Sequence, residues 1–375
     1  MHVAVDSTEM RAVLTLMKKV VCRKNTLPIL SNVLLDASEG RLRVCATDLE
    51  VALSMDVESA RVTTPGVITI PARELLDWFR GVSPHTEVVL NTDGRAVHML
   101  CRQTAGKLYG LPDDEFPKIA RVPETPKAKF TLPAAVMRRM LTTRMAASAG
   151  ETQYFLNGVY LHICPDSIRF VATDSHRLAL QQLAAKSAEG KDFGVIIPST
   201  AAEMLDDVLR QKSEVGGAVT TIFPAHSENQ LLFKTSNGTV ISTRLVDGEY
   251  PAYRQIIPKE HPHIAVFDSD ELRSAVEQAA LCANPKTRRI HLDIHKTEAI
   301  VSAESPDKGR AEATVACKAS EPIGMGFDAS YLVDGIRFVG GHEITLTYKE
   351  PINPALLTSG TDVGSLYLVM PMRIE

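Results

Sequence analysis

Asp174, Ser175 and His176 stand in a row, followed by Arg177, and offer the residue types from which a hydrolytic triad is assembled. A triad needs its nucleophile, base and carboxylate to converge in hydrogen-bonding order. Consecutive residues of an extended segment instead point to opposite faces, so the spacing argues against catalysis here. His291 and His295 are spaced to share a strand face, yet no further ligand accompanies them and they read as structural. The six cysteines, at 22, 45, 101, 164, 282 and 317, lack the close spacing of a zinc or redox motif. There is no Walker A loop, no His-Glu-x-x-His and no Rossmann glycine pattern. Asn237-Gly238-Thr239 is formally a glycosylation acceptor but reads as a turn. Neither catalytic residues, nor a cofactor, nor a metal are expected.

The more informative chemistry is electrostatic. The net charge is −4, but positive charge is concentrated on particular stretches. Residues 132–150 hold Arg138, Arg139 and Arg144 and no acid, and residues 8–24 hold Arg11, Lys18, Lys19, Arg23 and Lys24 against Glu9 alone. A local basic stripe makes its own field whatever the net charge, and the same bias in two corresponding stretches points to phosphate contact. Elsewhere Asp206, Asp207, Asp270, Glu271 and Asp334 offset the basic residues.

The elements that must position these residues repeat. Phe170-Val171-Ala172-Thr173-Asp174 has a near copy 126 residues earlier in Val44-Cys45-Ala46-Thr47-Asp48, and a weaker one in residues 299–305. Each copy reads as a strand entering a polar step. A helix begins after Asp6, with Glu9 three residues on as in a capping box, and Asp268-Ser269-Asp270-Glu271 repeats the pattern. Met137-Arg138-Arg139-Met140-Leu141 matches Met10 to Leu14. Second helices are expected after Pro71, over 198–210 and over 328–339. Met10, Val13, Leu14 and Met17 share one helical face. Short strands fill the remainder, with a hairpin expected across Asn237-Gly238. Prolines 112, 117, 123 and 126, then 251, 258 and 262, punctuate extended connectors. The expectation is an α+β fold of three repeated domains, residues 1–121, 129–253 and 254–375, each with two helices packed on antiparallel sheets.

With 45% hydrophobic residues, 375 residues can bury substantial cores. No apolar run is long enough for a membrane span, and the first residues lack a signal pattern. A cytoplasmic location is expected.

The sequence resembles the beta sliding clamps, the processivity subunits of bacterial DNA polymerase III, along its whole length. The residues that carry the resemblance are Thr26-Leu27-Pro28-Ile29-Leu30-Ser31-Asn32, Tyr154-Phe155-Leu156-Asn157-Gly158, Ala172 to Leu178, Asp247 to Arg254, and Val369-Met370-Pro371-Met372-Arg373. The resemblance implies a head-to-tail homodimeric ring that encircles double-stranded DNA regardless of sequence. It also implies partners: the polymerase III alpha subunit, an ATP-driven clamp loader, and other polymerases and repair proteins. A partner-peptide pocket is implied at Leu156, Thr173, His176, Arg177, Leu178, Pro251, Ile256, Tyr331, Val369, Met370, Pro371, Met372 and Arg373. DNA contacts are implied at Lys24, Tyr154 and Phe155, beside Arg138 and Arg139, and a dimer contact at Leu281 and Cys282. The chain departs from the family pattern at Ser175, usually glycine, at Gln255, often basic, at Gly106, where an aromatic residue is usual, and in the terminal Ile374-Glu375. The alternative readings are a DNA-binding scaffold that never closes, or a hydrolase using His176.

Overall fold

The computed structural model describes residues 1–21, 27–150, 152–185, 192–211, 217–224, 229–360 and 362–373. Lys24 and Arg23 of the basic set lie outside the described residues. Among the described residues there are seven α-helices: α1 (Ser7–Val20), α2 (Ala72–Arg80), α3 (Ala134–Leu141), α4 (Ser199–Gln211), the single turn α5 (Tyr253–Ile256), α6 (Ser269–Ala280) and α7 (Ala329–Val339). The strand pairings are antiparallel, so the α+β class stands.

Aspartate starts three of the helices. Asp6, Asp268 and Asp328 each accept hydrogen bonds from the two amides that open α1, α6 and α7, satisfying donors that the first helical turn leaves unpaired. The capping box at α1 is only half built. Glu9 does not reach back to Asp6; its carboxylate accepts from the amides of Glu58 and Ser59 at 2.7 and 2.8 Å, and Ser59 Oγ occupies the Asp6 amide at 3.0 Å. The apolar face of α1 is buried as its spacing requires, with Met10, Val13, Leu14 and Met17 at most 2% exposed.

The chain forms two compact units, residues 1–138 with 200–245, and 139–199 with 246–375. The first contains a five-stranded sheet, in the order Arg61–Thr64, His2–Asp6, Glu87–Asp93, Ala96–Cys101 and Thr104–Tyr109. It also contains an eight-stranded sheet in which Val240–Arg244 pairs with Val51–Val57. The second unit is built on a twelve-stranded sheet in which Asp362–Val369 pairs with Arg177–Ala184. One rule covers both pairings: the closing strand of one third hydrogen-bonds to the strand that leaves the polar turn of the third before it.

Two strands are left over by this rule. Thr104–Tyr109 closes the first third and is an edge strand. In the last third Gly309–Ala319 pairs through residues 309–316 with Glu298–Ser305, and only residues 317–319 reach a second neighbour, His263–Asp268.

Candidate functional site

The turn between Ser167–Thr173 and Arg177–Ala184 is built almost wholly from its own side chains. Thr173 Oγ1 donates to the Arg177 carbonyl at 2.6 Å and accepts from the Ser175 amide at 3.2 Å. Asp174 Oδ1 accepts from the amides of His176 and Arg177, both at 3.0 Å. Ser175 is thereby held at φ +74°, the left-handed conformation that glycine adopts without steric cost. Ser175 Oγ bonds Gln153 Oε1 at 3.2 Å, and Asp174 Oδ2 is taken by Arg177 Nε at 2.9 Å. The three residues do not converge as a triad, as expected.

Arg177 is the centre of the site. Its side chain is 12% exposed and bridges Asp174 to Asp334 Oδ2 on α7, the latter at 2.6 Å. Its guanidinium carbon lies 4.3 Å from the Tyr331 ring centroid, within cation–π range. The His176 ring stacks on Tyr331 with centroids 6.3 Å apart. Burial works against the charge, but buried Tyr367 beside it, with Asp334 and Asp174, holds the guanidinium pKa above its usual value. The Tyr367 hydroxyl in turn donates to the Tyr331 carbonyl at 2.9 Å. Tyr367 carries no motif and sequence reasoning missed it; Asp174 stood in the repeated Thr-Asp step and Asp334 among the acids, but neither was linked to Arg177.

The closing strand runs past this cluster and continues into the tail. Val369 pairs with Arg177, the Met370 amide donates to the His176 carbonyl at 2.9 Å, and the Met372 amide donates to Gly326 at 2.7 Å. Arg289 Nη1 holds the Arg373 carbonyl at 3.1 Å. Backbone bonds thus fix residues 370–373 along His176, Gly326 and Arg289, with their side chains half-buried or exposed. Met370 and Ile256 are 37% and 43% exposed, whereas Leu156, Leu178, Thr173 and Val369 are buried. Leu156 and Leu178 share a buried cluster with Tyr250, Tyr253 and Leu368. Of the residues predicted to line a pocket, the buried ones are therefore part of the core. Ile256, Met370, Pro371, Met372, Pro251 and the His176 and Tyr331 rings are half-buried or exposed.

The predicted nucleic-acid contacts are less uniform than the charge pattern suggested. Arg138 is exposed but lies 3.4 Å from buried Asp206 of α4, which also binds Arg210 at 2.8 Å. Lys19 pairs with Asp207 at 2.5 Å. Counting charge along the chain set these acids against the basic residues of their own helix and not against Arg138 and Lys19, which they reach from another helix. Arg139 donates to Ser365 Oγ at 2.9 Å, and that hydroxyl donates to Gln181, so Arg139 also braces the strand pairing. Tyr154 is 56% exposed and Phe155 packs edge-on against it.

At the predicted dimer contact Leu281 is 72% exposed, and Cys282 Sγ contacts the Lys308 carbonyl at 3.4 Å, next to the start of Gly309–Ala319. On the edge strand Thr104–Tyr109, a Cβ on Gly106 would fall 2.4 Å from Trp78 Nε1. The indole of α2 therefore fills the space that a side chain at position 106 would need.

Comparison with known proteins agrees along the whole chain. Three family models match: the DNA polymerase III beta subunit N-terminal domain over residues 1–120, the central domain over 131–252 and the C-terminal domain over 254–373. The beta sliding clamp of Pseudomonas putida is 29% identical over 376 aligned residues, with all of both chains covered. The crystal structure of a sliding clamp (DNA polymerase III subunit beta) from Bartonella birtlesii, bound to griselimycin, matches at TM-score 0.92 and 32% identity over all of both chains. That of the Pseudomonas aeruginosa subunit matches at 0.91 and 28%, again over all of both chains. With antiparallel sheets that follow one pairing rule in two places and a turn cluster free of catalytic geometry, this chain belongs to the DNA polymerase III beta subunit family, the DNA sliding clamps, which are processivity factors and not catalysts.

Proposed function

We propose that two copies of this chain close head to tail into a ring around duplex DNA, and that the groove beside Arg177 captures short apolar motifs of partner proteins. The strand-pairing rule carries the first half. Both pairings inside the chain join a closing strand to the strand after a polar turn, leaving Thr104–Tyr109 and residues 309–316 as the unmatched pair of edges. A second copy satisfies both edges at once, and a heterologous contact that closes after two copies gives a ring, not a filament. Leu281 and Cys282, close to one edge, and the Trp78 indole over Gly106 at the other supply its apolar contact.

Inside such a ring Arg138, Arg139, Tyr154 and Phe155 face DNA, and Lys24, outside the described residues, is a further proposed contact; sequence-independent phosphate attraction permits sliding while enclosure prevents escape. The groove suits the polymerase III alpha subunit, a clamp loader, and other polymerases and repair proteins. Its exposed methionines are flexible and polarizable and accept differing apolar anchors. The pairing of strands across thirds is compatible with domains at residues 1–121, 129–253 and 254–375. No helix of the described residues is long and apolar enough to cross a membrane, in keeping with work at cytoplasmic DNA.

The test is retention on DNA. Once loaded, the protein should stay on nicked circles and leave after linearisation; retention that survives linearisation would overturn enclosure in favour of a non-encircling scaffold. Leu281→Asp should yield monomers in sedimentation, because closing the interface would bury an unpaired charge. An unchanged dimer places the contact elsewhere.

A further inference from the structure

Away from the groove, three metal-ligating side chains converge on one side of the strand Gly158–Ile163. His162 and Cys164 are two residues apart and so share a face. The register pairs Ile163 with Phe193, which carries Asp192 to the same end. Their ligand atoms, an imidazole nitrogen of His162, Cys164 Sγ and an Asp192 carboxylate oxygen, all lie within 4.8 Å of one another, and His162 Nε2 is hydrogen-bonded to Asp192 Oδ1. His162 is 8% and Cys164 2% exposed, while the Asp192 side chain is 49% exposed. The opposite ring nitrogen, His162 Nδ1, lies 2.7 Å from the Tyr253 hydroxyl. That hydroxyl also receives Arg169 Nη1 at 3.4 Å.

We propose that His162, Cys164 and Asp192 form a zinc site. A nitrogen, a sulfur and a carboxylate oxygen are the donor set of a borderline-soft divalent ion, and three protein ligands leave one tetrahedral position for water. Tetrahedral zinc bonds place ligand atoms about 3.5 Å apart, so the hydrogen-bonded His162–Asp192 pair has to part to admit the ion while the wider separations close. Asp192, exposed at the beginning of its strand, is the ligand able to move. Ion binding uses the other tautomer: the proton that Nε2 holds against Asp192 Oδ1 moves to Nδ1, where the Tyr253 hydroxyl accepts it, and Nε2 then presents its lone pair to the ion. Positive charge is already drawn to this spot, since Arg254 Nη2 lies 3.1 Å from Cys164 Sγ and Nη1 3.6 Å from Asp192. The Arg254 side chain is half-exposed and swings outward when the ion enters. The metal ties two strands to α5, the turn that carries Ile256 of the groove. The sequence signal was His-x-Cys on one strand face; the third ligand, 28 residues after the cysteine, could not be assigned without the register.

Cobalt(II), added to chelator-stripped full-length protein and read by absorption, tests the site. One equivalent should give a thiolate-to-cobalt charge-transfer band with tetrahedral visible bands, reversed by zinc. The charge-transfer band should vanish in Cys164→Ser. Affinity should fall at least tenfold in Asp192→Asn and about tenfold in Tyr253→Phe, and should rise in Arg254→Ala once the competing cation is gone. No thiolate band in the unaltered protein, or one that persists in Cys164→Ser, overturns the site. Should Cys164→Ser fail to fold, Asp192→Asn decides at an exposed position: undiminished cobalt affinity rejects the proposal.

Discussion

The turn at Thr47 to Val51 and the turn at Thr173 to Arg177 share one design and come to different ends. In each, threonine Oγ1 donates to the carbonyl four residues on, at 3.0 and 2.6 Å, and aspartate Oδ1 accepts two consecutive amides. Each holds a non-glycine residue at positive φ, Leu49 at +80° and Ser175 at +74°. Each also releases a strand that pairs with the closing strand of the next third. Yet beside the first turn stands an ion pair between Arg244 and Glu50, 3.5 Å long with both side chains more than 60% exposed. In the second, Arg177 is 12% exposed between two carboxylates and an aromatic ring. The backbone device is generic; only one copy buries a cation beside it.

The sharpest way to break the comparison is Arg177→Ala. Removing one member of a buried charge cluster leaves Asp174 and Asp334 uncompensated, so thermal or denaturant unfolding should show a loss of about 3–5 kcal/mol, with weaker peptide binding. A loss below about 1 kcal/mol would put Arg177 in the same class as Arg244. Met370→Ala comes next. Stripping several tens of Å² of apolar surface at roughly 25 cal/mol per Å² should cost about 1–2 kcal/mol of peptide affinity, or about tenfold in Kd. A preloaded ring should stay on nicked circles as before. Unchanged affinity, both in Met370→Ala and after removal of residues 370–375 from a folded dimer, would move the groove elsewhere.

Smaller effects test the likeness of the turns. Ser175→Gly and Leu49→Gly should each stabilise by about 0.5–1 kcal/mol, the relief of left-handed strain less the added freedom of the unfolded chain. If only one of the two gains stability in thermal unfolding, the turns are not equivalent. Arg244→Gln should be smallest, within about 0.5 kcal/mol, as befits a screened surface pair.

Much of this was legible in the residues themselves. The Thr-Asp turns, the aspartate caps of α1, α6 and α7 and the helical face of Met10 to Met17 follow from local hydrogen-bonding capacity and period, which neighbours in sequence set. The hairpin across Asn237-Gly238 formed for the same reason, with Gly238 at φ +84°. Glu9 deserted its capping box because amides 49 and 50 residues away competed for its carboxylate. Asp206 and Asp207 reached Arg138 and Lys19 from another helix. Asp334 and Tyr367 closed around Arg177 from 157 and 190 residues away. The sequence by itself determined the repeat, the turns and the helix starts, because those depend on contacts a few residues long. Only the tertiary structure decided which charges are paired, which apolar residues are buried and which exposed, and which strand edges stay open, because burial and strand register bring together residues that no local pattern links.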